Sequence, residues 1–192
     1  MTIDDVRICN MALGKLGERK TISSLADVDS ETARTCNLHY EHIRDTLIES
    51  HTWNFAMKGA TLSSSTEVDP IGEYDNVFQL PADCLRVYKL YDSSYDYRVE
   101  GDLLLTSESA AKIRYISKQT NPTKFSSLFT EALATRLAAE MADQLTNSRT
   151  RRSILLQEFK EKVREAKLRD SQENRNGRTR SRGPSGRFKN KP

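Results

Sequence analysis

Cysteine is scarce. Only Cys9, Cys36 and Cys84 occur in 192 residues. They are widely spaced, odd in number and match neither a CxxC metal pair nor a redox motif, so the pattern excludes a disulfide-stapled scaffold. Reduced, buried thiols are the expectation, and a chain of this length buries a core without covalent help. Long apolar runs are also missing. The opening MTIDDVRICNMALGKLGE interleaves acids and bases with its apolar residues and contains no secretory h-region. Nowhere does an apolar run approach the roughly 20 residues of a membrane span. The expectation is a soluble protein made in cytoplasm, with no membrane partner. Catalytic signatures are lacking too: there is no GxSxG, HExxH, Walker or paired-carboxylate pattern. Asp4-Asp5 and Asp27/Asp29 suit helix-end and loop chemistry instead, so the chain reads as a non-enzyme without a cofactor.

One cluster carries ligand-type side chains. Cys36, His39 and His42 recur every three residues. Each step of three turns a helix about 60° backward, so the three side chains fan out and converge poorly on one ion. The expectation is a core cysteine with two half-exposed histidines and no metal.

Charge is present but unevenly placed. The net charge is +3, yet residues 171–192 hold Arg175, Arg178, Arg180, Arg182, Arg187, Lys189 and Lys191 against the single acid Glu173, a segment of +6 on a body of −3. Phe188 is its one large apolar residue. Such a segment buries too little surface to offset the entropy of ordering itself, so it reads as an extended basic arm that orders only against a partner. Its cations suit carboxylate or phosphate, with Phe188 as an apolar anchor.

The remainder reads as helix, strand, helix. Val6, Cys9, Leu13 and Leu16 lie on one helical face, with Gly17 placed for a left-handed cap. Ile22 and Leu25 then pin a polar loop. Ser30 and Glu31 start a second helix whose stripe is Ala33, Cys36, Tyr40, Ile43 and Leu47, running out near His51, Trp53 and Phe55. Trp53 reads first as a core plug and, as an alternative, as an interface aromatic. From Gly59 to about Ser117 the pattern changes to short apolar runs broken by Pro70, Gly72, Pro81 and Gly101, with alternation at Tyr95, Tyr97 and Val99. Gly101-Asp102 divides two strands, 97–100 and 103–106, as a hairpin would, and 112–117 is a further strand. One small antiparallel sheet of about three to five strands is expected. After Asn121-Pro122, Phe125, Phe129, Leu133, Leu137, Met141 and Leu145 recur at steps of four, flanked by Ala134, Ala138 and Ala142. Asn147-Ser148 breaks this helix. The last helix carries Leu155, Phe159, Val163 and Ala166, with Glu158/Lys162 and Glu165/Arg169 as i,i+4 pairs.

The fold class expected is α+β, mainly α. It comprises a four-helix bundle from residues 1–58 and 122–170, a β insertion at 59–121, and the basic arm at 171–192.

The order of several short motifs resembles the tail tubular protein A group of short-tailed phages, the head-to-tail adaptors beneath the portal. The matching residues begin with Asn10, Leu13-Gly14, Gly17-Glu18, Ile22, Leu25 and Asp27. They continue through Ala33, Cys36, Tyr40, Arg44-Asp45 and Leu47 into His51-Thr52-Trp53-Asn54-Phe55-Ala56, where Thr52 stands in place of an expected proline. Farther on come Phe78-Gln79-Leu80-Pro81, Cys84-Leu85-Arg86-Val87, Val99-Glu100-Gly101, Leu104-Leu105-Thr106 and Ile113-Arg114-Tyr115-Ile116. The resemblance implies a virion protein assembled in the host cytoplasm. It implies a dodecameric ring, docked to the portal above and to a nozzle or tail-tube protein below, with fibres or spikes sometimes attached and genomic DNA passing through. The arm lies outside the matching region; its cations would meet an acidic portal surface or the DNA in the channel. Two other readings are a nucleic-acid-binding accessory protein acting through the arm, and a head-completion connector of a long-tailed phage.

Overall fold

The fold is described from a computed structural model, in which residues 2–19, 21–65, 73–91 and 96–178 are described. Helix α1 (Asp5–Leu16) starts at Asp4, whose carboxylate accepts the Arg7 N–H at 2.7 Å. It stops at Gly17, where φ of +79° lets the backbone turn left-handed and close on Leu13 and Gly14 carbonyls. Helix α2 (Glu31–Glu49) is capped by the Ser30 hydroxyl, which accepts from Ala33 N–H at 3.2 Å. After a short 3-10 turn at Asn54–Ala56 come six strands. They are β1 (Met57–Thr61), β2 (Asn76–Gln79), β3 (Cys84–Leu90), β4 (Tyr97–Glu100), β5 (Leu103–Thr106) and β6 (Lys112–Ser117). Helices α3 (Ser127–Thr146) and α4 (Arg149–Arg178) complete the chain, which is α+β and about half helical.

The strands form two antiparallel sheets rather than the single one expected, in the orders β1-β6-β3 and β2-β5-β4. Strand β6 pairs on both edges, with β1 and β3, so it offers no edge to the β4–β5 hairpin; β5 pairs instead with β2. The hairpin itself is where the sequence puts it, with Gly101 at φ +61° and Glu100 opposite Leu103. The two sheets share a small core of Leu62, Phe78, Leu80, Leu104, Ala111, Ile113 and Tyr115. The other face of β6 passes from exposed Lys112 and Arg114 to Ile116, which is buried in the helical core. One strand therefore belongs to both cores.

Helix α3 lies at the centre of the helices and packs on α1, α2 and α4, whereas α1 and α2 meet only marginally. Its sequence explains why. A step of four residues advances 40° on a 3.6-residue helix, so a run of such steps is a spiral that winds about 200° from Phe125 to Leu145 rather than a stripe. With Ala132, Ala134, Ala138, Ala139 and Ala142 beside it, the helix is apolar nearly all round and buried accordingly. Phe125 itself precedes the helix, contrary to the periodicity: Pro122–Lys124 forms a 3-10 turn, and the Ser126 hydroxyl takes the Phe129 N–H at 3.2 Å to start α3 one residue later.

Helix α4 differs most from expectation. It runs through Arg178, so the first eight residues assigned to an extended arm continue the helix, which at 30 residues is about 45 Å long against about 30 Å for α3. No proline lies between Asn147 and Arg178, and the stretch past Asp170 retains helix-forming Gln172, Glu173 and Arg175 among weaker formers such as Asn174, Asn176 and Gly177. Residues 179–192 lie outside the described residues, as do Pro70, Gly72 and Tyr95.

Leu137 is fully buried in α3. Leu137→Ala should cost about 2 to 5 kcal/mol in urea unfolding, as cavity-forming truncations do; a loss under about half a kcal/mol would place this residue outside the core.

Candidate functional site

The segment His51–Ala56 joins α2 to β1 and is gripped from three sides. Leu47, in the last turn of α2, offers a carbonyl that accepts both the Ser50 hydroxyl (2.8 Å) and the Trp53 indole N–H (2.9 Å). Trp53 is wholly buried. Its ring meets Phe129 edge-on at 5.0 Å and stacks on Phe55 at 6.0 Å, while Phe55 touches Phe125 at 5.3 Å and Phe129 at 4.9 Å. Trp53 thus exposes no surface of its own, which is the position of a core plug: its indole N–H finds its acceptor inside the chain, Phe55 stacks on its ring and Phe129 of α3 meets it edge-on.

Helix α4 closes the joint. The Asp170 carboxylate accepts the Asn54 backbone N–H at 2.9 Å, and the Asp170 carbonyl accepts the Asn54 side-chain amide at 3.0 Å. One turn earlier, Lys167 Nζ donates to the Ser50 carbonyl at 3.3 Å. The second oxygen of Asp170 faces His51 Nε2 at 3.4 Å, and His51 stands edge-on to Trp53 at 4.8 Å. Burial penalises both charged forms, holding the His51 imidazole below its usual range and the Asp170 carboxyl above its own.

Other residues singled out in the sequence serve similar joints. The Asn10 side chain clips Ile22 twice, donating to its carbonyl at 2.9 Å and accepting from its N–H at 2.8 Å. Buried Arg44 donates to Asp45 at 2.8 Å, and Asp45 pairs with Lys118 beyond β6 at 3.1 Å. Ser117 donates to the Ala56 carbonyl at 2.9 Å.

The other two histidines lie elsewhere. Cys36 is buried, its Sγ 3.6 Å from Met141 Sδ and adjacent to the Cys9 thiol, whose ionisation is pushed up by that contact and by burial. His39 and His42 instead line a groove of about 420 Å³ between α2 and α4, floored by α3. The three residues do not converge, and among the described residues no group of three or more His, Cys, Asp or Glu side chains is placed to share a metal. The groove mixes apolar Ile43, Leu47, Phe159 and Val163 with Arg136, Glu140 and Lys167. Arg136 lies over the Phe159 ring at 5.5 Å. The groove thus sets apolar walls beside cationic side chains and one acid.

Of the cations expected in the arm, Arg175 and Arg178 fall on the last turns of the α4 backbone, and Arg180, Arg182, Arg187, Phe188, Lys189 and Lys191 lie outside the described residues. Sequence reading missed Asp170, Lys167, Arg136 and Glu140. Nothing in local periodicity flags them, because their roles come from the approach of α4 to α2. The one available signal was Asp170 itself, an acid directly after the bases Lys167 and Arg169.

Asp170→Ala should cost about 1 to 3 kcal/mol, since it strands the Asn54 N–H, and Asp170→Asn should cost less because its amide oxygen still accepts. The pH dependence follows from opposite signs. A His51 held neutral by burial loses stability as pH falls below about 6.5, whereas an Asp170 held protonated loses it as pH rises above about 4. His51→Gln should therefore remove the loss of stability as pH falls below about 6.5, and Asp170→Asn should remove the loss as pH rises above about 4, each read as the slope of urea midpoint against pH beside the wild type. Equal slopes in all three proteins would remove the pair from the joint. No family model matches this chain, and no curated protein matches it either.

Proposed function

We propose that this protein is a non-catalytic structural adaptor of a short-tailed phage virion, one subunit of a dodecameric ring that joins the portal to the tail nozzle or tube and borders the DNA exit channel. The observation that carries this reading is where the resembling motifs meet in space. Asn10 with Ile22, Gly17, Arg44-Asp45 with Lys118, Trp53 to Ala56, and Ile116 are joints between elements rather than the lining of one pocket. Residues spent on joints suit a part whose task is to keep its shape under load and present surfaces. In this reading the four helices act as one rigid bundle bearing the two sheets, and α4 projects from it to deliver the cationic segment. That segment, from Arg175 onward, would meet portal carboxylates or channel DNA and speed encounter by charge. The long-tailed head-completion connector shares the task and differs in its downstream partner.

Light scattering should find the portal heavier by about 260 kDa, twelve chains of 21.9 kDa, once the chain is added. A two-fold dimer as the sole assembled form would overturn the ring. Because α4 is helical through Arg178, the cut that tests the arm removes residues 179–192. This truncation should keep the helical circular dichroism and weaken portal attachment more at low salt than at high salt. Undiminished attachment at both would leave the arm without a role. Loss of a salt-sensitive DNA gel shift with normal portal attachment would favour the nucleic-acid-binding accessory protein.

A further inference from the structure

The groove between α2 and α4 has a makeup that the fold does not require. Ile43, Leu47, Phe159 and Val163 give it apolar walls, Lys167 supplies a cation that no carboxylate engages in an ion pair among the described residues, and Arg136 adds a second cation shared with Glu140. Its one acid, Glu140, is already taken by Arg136 at 2.5 Å and Arg152 at 3.2 Å. An apolar knob flanked by carboxylates is what such a groove would bind.

The chain carries such a knob. Val28, in the turn before α2, is 72% exposed, the most exposed large apolar side chain among the described residues. Asp27 and Asp29 flank it, and Glu31 opens the helix behind it. The turn is a built feature: Asp27 Oδ1 accepts the N–H groups of Asp29 (3.1 Å) and Ser30 (3.3 Å), and the Arg34 guanidinium donates to the Val28 carbonyl. These bonds tie Val28 to the N-terminal end of α2 with its side chain in solvent, so the groove it fits is not its own.

We infer that the α2/α4 groove of one copy receives the Asp27-Val28-Asp29 turn of the next, a cation-bordered apolar socket on an acid-flanked knob. Knob and socket are different patches of one chain, so the contact is heterologous and propagates around a closed ring instead of ending at a dimer. Opposite charges at the two patches set the register and disfavour the socket-to-socket pairing. The inference rests on the ring reading above and names the surfaces that would make the ring.

The test uses the full chain, with and without portal, by sedimentation velocity over a concentration series. Val28→Glu and Lys167→Glu should each raise the assembly midpoint about tenfold or more, and the charge-swapped double variant Asp29→Lys/Lys167→Glu should recover most of that loss. Circular dichroism confirms that each variant is folded. Mixing Val28→Cys protein with His42→Cys protein and a short bis-maleimide should give a covalent pair above the wild-type background from Cys84. Wild-type rings with unaltered midpoints in both single variants would overturn the socket while leaving the ring intact. Cross-links confined to two Val28→Cys chains would overturn it in favour of a two-fold contact. A wild type that stays monomeric even with portal would take down the ring reading and the socket together.

Discussion

Trp53 lies where α2 ends, β1 begins and α3 and α4 pass, and its burial is the constraint on which the arrangement depends. A large ring with one polar N–H can be sealed only if that N–H is satisfied, and the Leu47 carbonyl does this from the last turn of α2. With the indole fixed, Phe55 and Phe129 pack on it at 6.0 and 5.0 Å, and Phe125 packs on those two at 5.3 and 4.9 Å, just before α3 starts. The outgoing chain is then aimed into β1, and β1 aligns β6 by register from Met57 opposite Ile116. The helical core and the sheets are thereby placed relative to each other through one side chain and its neighbours.

Local features were readable from residues alone because the physics that makes them is local. Gly17 closes α1 by the positive φ that a Cβ would strain, Ser30 caps α2 with its own hydroxyl, and Gly101 turns the β4–β5 hairpin. Features set by distant pairing were not readable. The division into two sheets follows from β6 taking β1 as a partner across some sixty residues of chain, and no alternation within β6 encodes that choice. Helix α4 outruns its apolar stripe: the backbone stays helical through Arg178, past Ala166, the last buried among the described residues, and no proline interrupts it. The groove was invisible for a third reason: it exists because two helices packed on α3 stay apart.

Charge follows the same division between inside and outside. Ion pairs such as Lys15 with Glu158 at 2.9 Å, and Lys162 with Glu131 at 3.2 Å, tie α1, α3 and α4 at the solvent boundary. Being partly exposed, they adjust helix register more than they stabilise it. The Lys15 ammonium, by its hydrogen bond, holds the Glu158 carboxyl below its usual range, so this corner stays ionised under ordinary conditions. The buried His51 and Asp170 work the other way, favouring neutrality where water is excluded.

The β insertion also has a consequence for synthesis. Helices α1 and α2 bury their apolar faces mainly on α3, which follows them by the whole length of both sheets. As the chain leaves the ribosome, Ile8, Leu13, Ile43, Leu47 and Trp53 are made well before the helix that covers them. At about 5 to 20 residues per second, this interval lasts several seconds, during which the first helices have no permanent place to put these side chains. The nascent chain therefore presents a hydrophobic surface to chaperones and to its neighbours on the same polysome until α3 emerges, and translation speed across the insertion sets how long that surface stays open.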